Sequence, residues 1–336
     1  MDLKLLLKRG ALLAAANWPV VVIQFIAETT FQVLLAVPVI GAAVLVALLL
    51  GTDVADLLRG TIRDMFTTVA GALMSEPFAL VAFITAFVVV LLGGSILMFV
   101  VKGGTVEVLL ASNADAGAIE KQPLTLRMFQ STSRFTLDRF TAGCSRLHRP
   151  YVMLGIGLMV VYAISVAAYL AFVGYGYRFA SGRALIIGWT LIAALAAGVL
   201  IGWITVINLV YLLLQVAVAV EGGTLGHAAR AVARFARAEF RELAAVFLVV
   251  FGLVVVATLA SALAWTGVGL IAFVPLVGLA VFPLQLAALA IRGLAFQYLG
   301  VTALGAYITL YAGHVSRRQG DTVAVPSGVA PASARA

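Results

Sequence analysis

The chain has 336 residues, of which 63% are hydrophobic and 11% charged, and its mean hydropathy is +1.13. Soluble domains have about a quarter of their residues charged, so this composition excludes a soluble globular protein and requires a lipid bilayer as solvent. The net charge of +8 belongs to loops beside membrane spans, where it sets topology, and we expect no nucleic-acid partner. Cys144 is the only cysteine, which excludes an intrachain disulfide.

The N-terminal segment, residues 1–16, resembles a secretory signal peptide in carrying Lys4, Lys8 and Arg9 ahead of a run of alanines. The apolar part between Arg9 and the alanines is too short for a signal sequence, and a long apolar run follows directly. We therefore predict an uncleaved helix at the membrane interface.

Six apolar runs are long enough to cross a hydrocarbon core of about 30 Å as helices. The predicted spans are residues 17–50, 78–101, 151–173, 185–220, 243–265 and 270–313. The first is too long for a perpendicular crossing, which predicts a kink at Pro38 and Gly41. In the sixth, Pro275 and Pro283 predict an interruption, with a half-helix before a full span.

Three segments between the spans combine helical spacing of apolar residues with arginines and acidic residues, a pattern typical of amphipathic helices on a membrane surface. They are residues 51–77, 126–149 and 221–242. Pro150 is expected to end the second of them. The predicted fold class is thus an all-α, polytopic transmembrane bundle of six spans with amphipathic interfacial helices.

The sequence Gly-Gly-Thr occurs at 103–105 and again at 222–224, each time at the end of a span and before a basic segment. The glycines are predicted to end the helix and the threonine to cap the next one. With the N-terminal helix, this suggests three repeats, 1–102, 103–221 and 222–315, within one bundle of residues 1–315. Chance is the alternative, because the chain has 32 glycines. The Pro/Ala-rich tail, 316–336, is predicted to be disordered.

Small residues at Ala194, Gly198 and Gly202 recur every four positions along the fourth span. Such a ridge lets membrane helices approach closely, so we expect it to pack on a neighbouring helix. The sequence leaves open whether that neighbour belongs to the same chain.

Most of the 22 Lys and Arg residues lie in segments on one side of the predicted membrane. These segments are 1–16, 102–150, 221–242 and the tail. The connections 51–77 and 174–183 on the other side carry few. The positive-inside rule therefore predicts six spans with both termini in the cytoplasm, in the inner membrane of a bacterium.

Polar residues inside the spans are candidates for a polar path through the membrane. Glu28 and Arg292 are the most informative, because an ionisable group costs about 2.5–3.5 kcal/mol at the centre of a membrane helix on insertion scales. The candidate path consists of Gln24, Glu28, Gln32, Asn208, Gln215 and Arg292, with Tyr211, Gln297 and Tyr298 as possible lining. Two alternatives stay open. The polar groups only hold the helices together by hydrogen bonds, or the two charges reach water, Arg292 at the outer interface.

Arginines follow one another at helical spacing in the segment 221–242. Arg230, Arg234, Arg237 and Arg241 share one face, opposite Val232 and Phe235. Each basic residue near an anionic leaflet contributes on the order of 1 kcal/mol. The predicted partners of this face are anionic lipid headgroups, with an acidic cytoplasmic protein as a second candidate.

Motifs for catalysis or cofactor binding are missing from the sequence, which contains no HExxH, Walker A, GxSxG or CxxC pattern. We therefore predict no catalytic, cofactor or metal site and no enzyme activity. A metal site built from His148, His227 and His314, all at predicted cytoplasmic edges, is the weaker alternative.

The third predicted unit, Glu221-Gly222-Gly223-Thr224 followed by Ala228, Phe235 and Phe240, leads directly into a span. It resembles the membrane-embedded domain found beside some bacterial glycerophosphodiester phosphodiesterases and as stand-alone membrane proteins of unassigned role. The resemblance covers the C-terminal third and implies a polytopic helical bundle. It does not imply phosphodiesterase activity, because the sequence has no counterpart of the soluble phosphodiesterase domain.

Taken together, these patterns predict a scaffold or accessory protein of the membrane that acts through its basic cytoplasmic helices. The alternative is a transporter or permease for a small or lipid-like solute that uses the intramembrane polar path.

Overall fold

A computed structural model describes residues 2–50, 71, 75, 77–181, 185–222, 224–272 and 277–323. These residues form nine α-helices and a 3-10 turn at Ile119–Lys121, with no strand among them. The α-helices are α1 (Leu3–Ala16), α2 (Trp18–Leu50), α3 (Pro77–Asp115), α4 (Leu126–Thr132), α5 (Leu137–Ser181), α6 (Ile186–Glu221), α7 (Leu225–Ala238), α8 (Phe240–Ala272) and α9 (Val277–Val323). Six of them are long and apolar enough to cross a membrane, which confirms the predicted fold class of an all-α polytopic bundle.

Among the described helices, the order short, long, long occurs three times. The short ones are α1, α4 and α7, and each precedes two long helices. This is the order that the predicted repeat requires. Order alone does not test whether the three units resemble one another, so the repeat stays a prediction.

Buried side chains concentrate at one end of the bundle, which we call the packed end. It comprises α1, α4 and α7 together with residues 18–27, 99–115, 137–151, 211–221, 243–246 and 301–315 of the long helices. The remaining parts of the long helices form the open half, where large apolar side chains such as Ile164, Leu195 and Leu259 are exposed. Exposed apolar surface of this kind is stable in contact with lipid and not with water.

The N-terminal helix α1 lies inside the packed end, mainly against α9. Its Leu13 and Ala14 are completely buried. The prediction of a helix is confirmed, and protein covers many of its apolar side chains, whereas its position at the membrane interface stays a prediction. Close approach to α9 depends on Gly10, where an added Cβ would lie 2.5 Å from the Thr302 carbonyl oxygen.

The Gly-Gly pairs behave differently at the two places where they were predicted to end helices. Gly222 has a positive φ of 61° and ends α6, as predicted, and Thr224 caps α7 by accepting a hydrogen bond from the His227 amide. Helix α3, by contrast, continues through Gly103 and Gly104 to Asp115, so the predicted end at this point is wrong.

Helix α3 continues through Gly103 and Gly104 because these glycines let it pack closely on α5. A Cβ on Gly104 would lie 2.7 Å from the Phe140 ring, and one on Gly103 would lie 3.3 Å from the Gly143 carbonyl oxygen. A glycine inside a helix costs only about 1 kcal/mol relative to alanine, which close packing against α5 offsets.

Prolines do not end the helices in which they lie. Pro38, Pro150 and Pro283 are all internal to α2, α5 and α9. The predicted stop at Pro150 and interruption at Pro283 are therefore wrong, because neighbouring helices in a membrane bundle satisfy the backbone groups that a proline frees. The second basic segment instead breaks between α4 and α5, after Thr132.

Some predicted features lie outside the described residues. These are the amphipathic helix within 51–77, except for a few positions at its end, and the surroundings of Pro275. For the tail, α9 continues to Val323, beyond the predicted start of disorder at Ser316, and residues 324–336 are not described.

Candidate functional site: an intramembrane cavity and an arginine face

The polar stripe on α2 faces α3 and α9 and makes hydrogen bonds to both. Gln24 is buried, and its Nε2 donates to Thr105 Oγ1 on α3 at 2.8 Å. Glu28 accepts hydrogen bonds from the Gln297 amide on α9 and from Gln32 Nε2 at 3.2 Å. The stripe therefore joins three helices at the level where the packed end meets the open half.

A cavity of about 560 Å³ lies beside this stripe, between α2, α8 and α9. Its polar lining residues are Glu28, Thr29, Gln32, Thr258, Arg292 and Gln297. Leu286 and Leu289 contribute apolar walls and are 52% and 49% exposed, so the cavity opens on the lipid-facing surface. The structure thus brings together three of the predicted path residues, Glu28, Gln32 and Arg292.

Arg292 is exposed, and its guanidinium carbon lies 5.7 Å from the centre of the Phe296 ring. Phe296 lies one turn further along α9, and helical side chains lean toward the N-terminus, so its ring is close to the Arg292 side chain. Arg292 and Glu28 line the same cavity but form no ion pair. Within the described part of the chain, no carboxylate pairs with Arg292.

Lys102 is a site residue that the sequence reasoning missed. It lies half-buried on α3, interacts electrostatically with Glu28, and places its ammonium 5.4 Å from the centre of the Tyr211 ring on α6. The glycines that follow Lys102 predict the end of a span, which places the lysine outside the membrane. If those glycines are helical instead, the apolar run continues past Lys102. A lysine inside a membrane span is then the feature of the sequence that indicates a site residue.

The two predicted path residues on α6 have different surroundings. Gln215 is buried near Tyr211, and within the described residues neither Gln215 Nε2 nor Tyr211 Oη has a hydrogen-bond partner. The Gln215 carbonyl oxygen accepts from Tyr151 Oη at 2.8 Å. Asn208 is exposed and accepts from Tyr162 Oη at 2.5 Å. It does not line the cavity, so the six residues are not all neighbours.

The arginines of the predicted basic helix all lie on exposed positions. Arg230, Arg234 and Arg237 belong to α7, and Arg241 lies in the first turn of α8. On the opposite face Val232 and Phe235 are buried, and the Phe235 ring packs edge-on against Tyr311 of α9, with 5.1 Å between centroids. The apolar face of α7 is thus covered by protein, and the arginines form a face that we call the arginine face.

Contacts with the end of α9 hold the arginine face in place. Glu239, which ends α7, accepts a hydrogen bond from Arg317 and lies 3.5 Å from His314 Nδ1. Partial burial works to raise the pKa of Glu239, but the hydrogen bond and charge of Arg317 outweigh it and hold that pKa below its usual value. At the other end of α7, Glu221 pairs with His227 at 2.9 Å.

The three histidines have separate partners. His148 Nδ1 lies 2.8 Å from the Ser145 carbonyl oxygen, whereas His227 and His314 face different glutamates. Among the described residues no three His, Cys, Asp or Glu side chains form a group that could hold a metal ion.

Comparison of the chain with protein-family models, with curated proteins and with solved structures finds no match. The resemblance of the C-terminal third to the phosphodiesterase-associated membrane domain therefore stays a prediction. The structure itself defines a class, an all-α multi-pass membrane protein with a polar cavity open to lipid and an exposed arginine face.

Proposed function

We propose that this protein is a transporter or permease of the bacterial inner membrane that takes up a lipid-like solute in the cavity between α2, α8 and α9. The observation that carries the proposal is the meeting of Glu28, Gln32 and Arg292 in that cavity, although α2 and α9 lie at opposite ends of the chain. The volume of about 560 Å³ lies in the range of ligand pockets, roughly 300–1,000 Å³. Apolar walls with a few convergent polar groups suit an amphiphile.

The orientation is part of the proposal. The exposed arginines of α4 and α7, with Arg146 and Arg149 of α5, lie at the packed end, and the positive-inside rule supports a cytoplasmic position for this end and for both termini. The cavity then lies beyond the packed end, near the middle of the membrane, where a solute would enter sideways from the lipid.

Replacing Glu28 with glutamine should slow transport at least about tenfold. The carboxylate accepts from Gln32 and Gln297 and faces Lys102, so its loss removes the charge that organises the polar side of the cavity. The measurement uses vesicles of phosphatidylcholine and phosphatidylglycerol with a trace of fluorescently labelled phosphatidylglycerol. Dithionite bleaches label in the outer leaflet only, so the further decay reports movement across the bilayer.

The matched control is Glu242→Gln, which removes an exposed carboxylate at the start of α8, away from the cavity. It should leave the decay unchanged. Normal movement of label in the Glu28→Gln protein would reject Glu28 as a working residue. Absence of movement with the unaltered protein, relative to empty vesicles, would reject lipid transport.

A second candidate function, an accessory protein that binds an acidic partner, is favoured by the arginine face. The arginines of this face are exposed, so they are available to a partner. The apolar side of α7 packs on α9, so α7 is held in the bundle without them. Double replacement Arg234→Gln/Arg237→Gln removes two charges worth on the order of 1 kcal/mol each, or roughly 30-fold in affinity.

This candidate is tested by crosslinking in native membranes followed by mass spectrometry of what stays bound. The double variant should lose a stoichiometric protein partner that the unaltered chain retains. A control with Lys121→Gln/Arg127→Gln removes the same charge from exposed positions near α4. Equal loss in both double variants, or retention in both, contradicts a specific role of the arginine face.

A further inference from the structure

We infer that the cavity between α2, α8 and α9 holds a phospholipid with one net negative charge, its phosphodiester on Arg292 and an acyl chain in a neighbouring groove. The inference rests on the proposed function in using the same cavity, and it adds the class of ligand. Three observations lead to it: the charge balance of the spans, the groove on the far side of Arg292, and the chemistry of the cavity.

The apolar parts of the spans carry one net positive charge. In the apolar parts of the six spanning helices, 18–41, 80–106, 151–177, 186–220, 243–264 and 283–316, the Asp, Glu, Lys and Arg residues are Glu28, Lys102 and Arg292. Glu28 and Lys102 interact with each other. Arg292 has no carboxylate partner within the described residues and faces the lipid side, where a lone charge is costly. An anion from the membrane removes that cost.

A groove of about 400 Å³ adjoins the cavity and shares Arg292 and Phe296 with it. It lies between α8 and α9 and extends into the open half. Its other lining residues are Ala257, Ala260, Ser261, Ala264, Ala288, Ile291 and Ala295. Alanines on both facing helices leave an apolar groove there, and Arg292 supplies its charged group.

The chemistry around Arg292 fits a phosphodiester. The planar guanidinium presents paired donors that match two phosphate oxygens, and Thr258 and Gln297 add uncharged polar groups on the same cavity wall. The Glu28 carboxylate already accepts hydrogen bonds from Gln32 and Gln297 and lies in the field of the Lys102 charge, so it is not free to hold the cationic headgroup of a zwitterionic lipid. The site therefore favours phosphatidylglycerol over phosphatidylcholine.

The test is native mass spectrometry of the full chain, purified in mild detergent, stripped of lipid and titrated with phosphatidylglycerol or phosphatidylcholine of identical acyl chains. The unaltered protein should prefer phosphatidylglycerol by about tenfold or more, the usual scale of a charge-assisted hydrogen-bonded pair. Arg292→Gln should lose the preference, and Arg292→Lys should keep part of it. Arg178→Gln, which removes a distant exposed arginine of α5, should leave it unchanged.

A second variant tests the groove with the charge intact. Ala260→Phe fills the groove and should weaken binding of phosphatidylglycerol about tenfold, whereas Val256→Phe, on the same helix but outside the groove, should not. Equal binding of the two lipids by the unaltered protein overturns the inference, as does a preference that survives Arg292→Gln. Equally tight binding of glycerophosphoglycerol, the same phosphodiester without acyl chains, would assign the site to a soluble phosphodiester and overturn the lipid assignment.

These outcomes are separable from those of the transport proposal. A preference for phosphatidylglycerol without movement of labelled lipid would support the binding site and reject transport. Movement of lipid without a preference would support transport and overturn the assignment of Arg292.

Discussion

Replacing Arg9 with glutamine is expected to lower the free energy of unfolding by about 3–5 kcal/mol, the usual cost of breaking a buried ion pair from one side. The Arg9 guanidinium reaches from α1 to the loop after α3. It donates to Asn113 Oδ1 at 2.9 Å, to the Asn113 carbonyl oxygen at 3.0 Å, to Glu120 Oε2 at 2.9 Å and to the Gly117 carbonyl oxygen. The side chains of Arg9 and Glu120 are only 11% and 8% exposed, so water cannot replace the lost partner.

The measurement is thermal or denaturant unfolding of the detergent-purified chain, followed by the fluorescence of its four tryptophans. Arg127→Gln, at an exposed position on α4, is the control and should change stability little. The double variant Arg9→Gln/Glu120→Gln should recover part of the loss, because it leaves no unpaired buried charge. If Arg9→Gln were as stable as the control, the hydrogen bonds and ion pair of Arg9 would contribute little to the stability of the fold.

Arg9 illustrates what a sequence pattern does and does not predict in a membrane protein. The six spans were predictable because the length of an apolar run is a local property set by bilayer thickness. Basic residues beside a span indicate topology whether they meet water or protein. Whether Arg9 meets water or protein depends on Asn113 and the loop that follows α3, more than a hundred residues away. No local sequence pattern records this.

The two Gly-Gly pairs lead to the same conclusion for helix ends. Both have the sequence that ends a helix, and of their described glycines Gly222 alone adopts the left-handed conformation. Gly103 and Gly104 remain helical because Gly143 and Phe140 on α5 fill the space that a side chain would take. The end of a helix is thus decided partly by what packs opposite, and Lys102 was missed as an intramembrane charge for this reason.

The candidate site was predicted in part. Glu28 and Arg292 stand out in sequence because ionisable groups are rare in apolar runs, and they do line one cavity. Their arrangement was not predictable, since Glu28 interacts with Lys102 while Arg292 stays unpaired in the described chain. Asn208, equally polar and equally intramembrane by pattern, lies apart from the cavity with Tyr162, because position around a helix cannot be read without its neighbours.

The packing of small residues was likewise not predictable from their spacing alone, and it leads to a second prediction of large effect. The ridge of Ala194, Gly198 and Gly202 was expected to pack on a neighbour, yet a Cβ on Gly198 or Gly202 would have no atom within 4 Å in the described chain. The close crossing is instead at Gly10 of α1. A Cβ there would lie 2.5 Å from the Thr302 carbonyl oxygen and 2.8 Å from the Ala306 backbone nitrogen on α9.

Gly10→Ala is therefore expected to lower the free energy of unfolding by about 2–3 kcal/mol, since backbone atoms cannot rotate away and overpacking forces the helices apart. Gly198→Ala is the matched control, and its expected effect on stability is opposite. Because Gly198 is an open helical position, the substitution should raise the free energy of unfolding by up to about 1 kcal/mol, since alanine restricts the unfolded chain and favours the helix. Both variants are compared by the unfolding assay used for Arg9. A Gly10→Ala protein as stable as Gly198→Ala would show that α1 and α9 do not approach as closely as their backbones indicate, and would also question the buried setting of Arg9 one residue away.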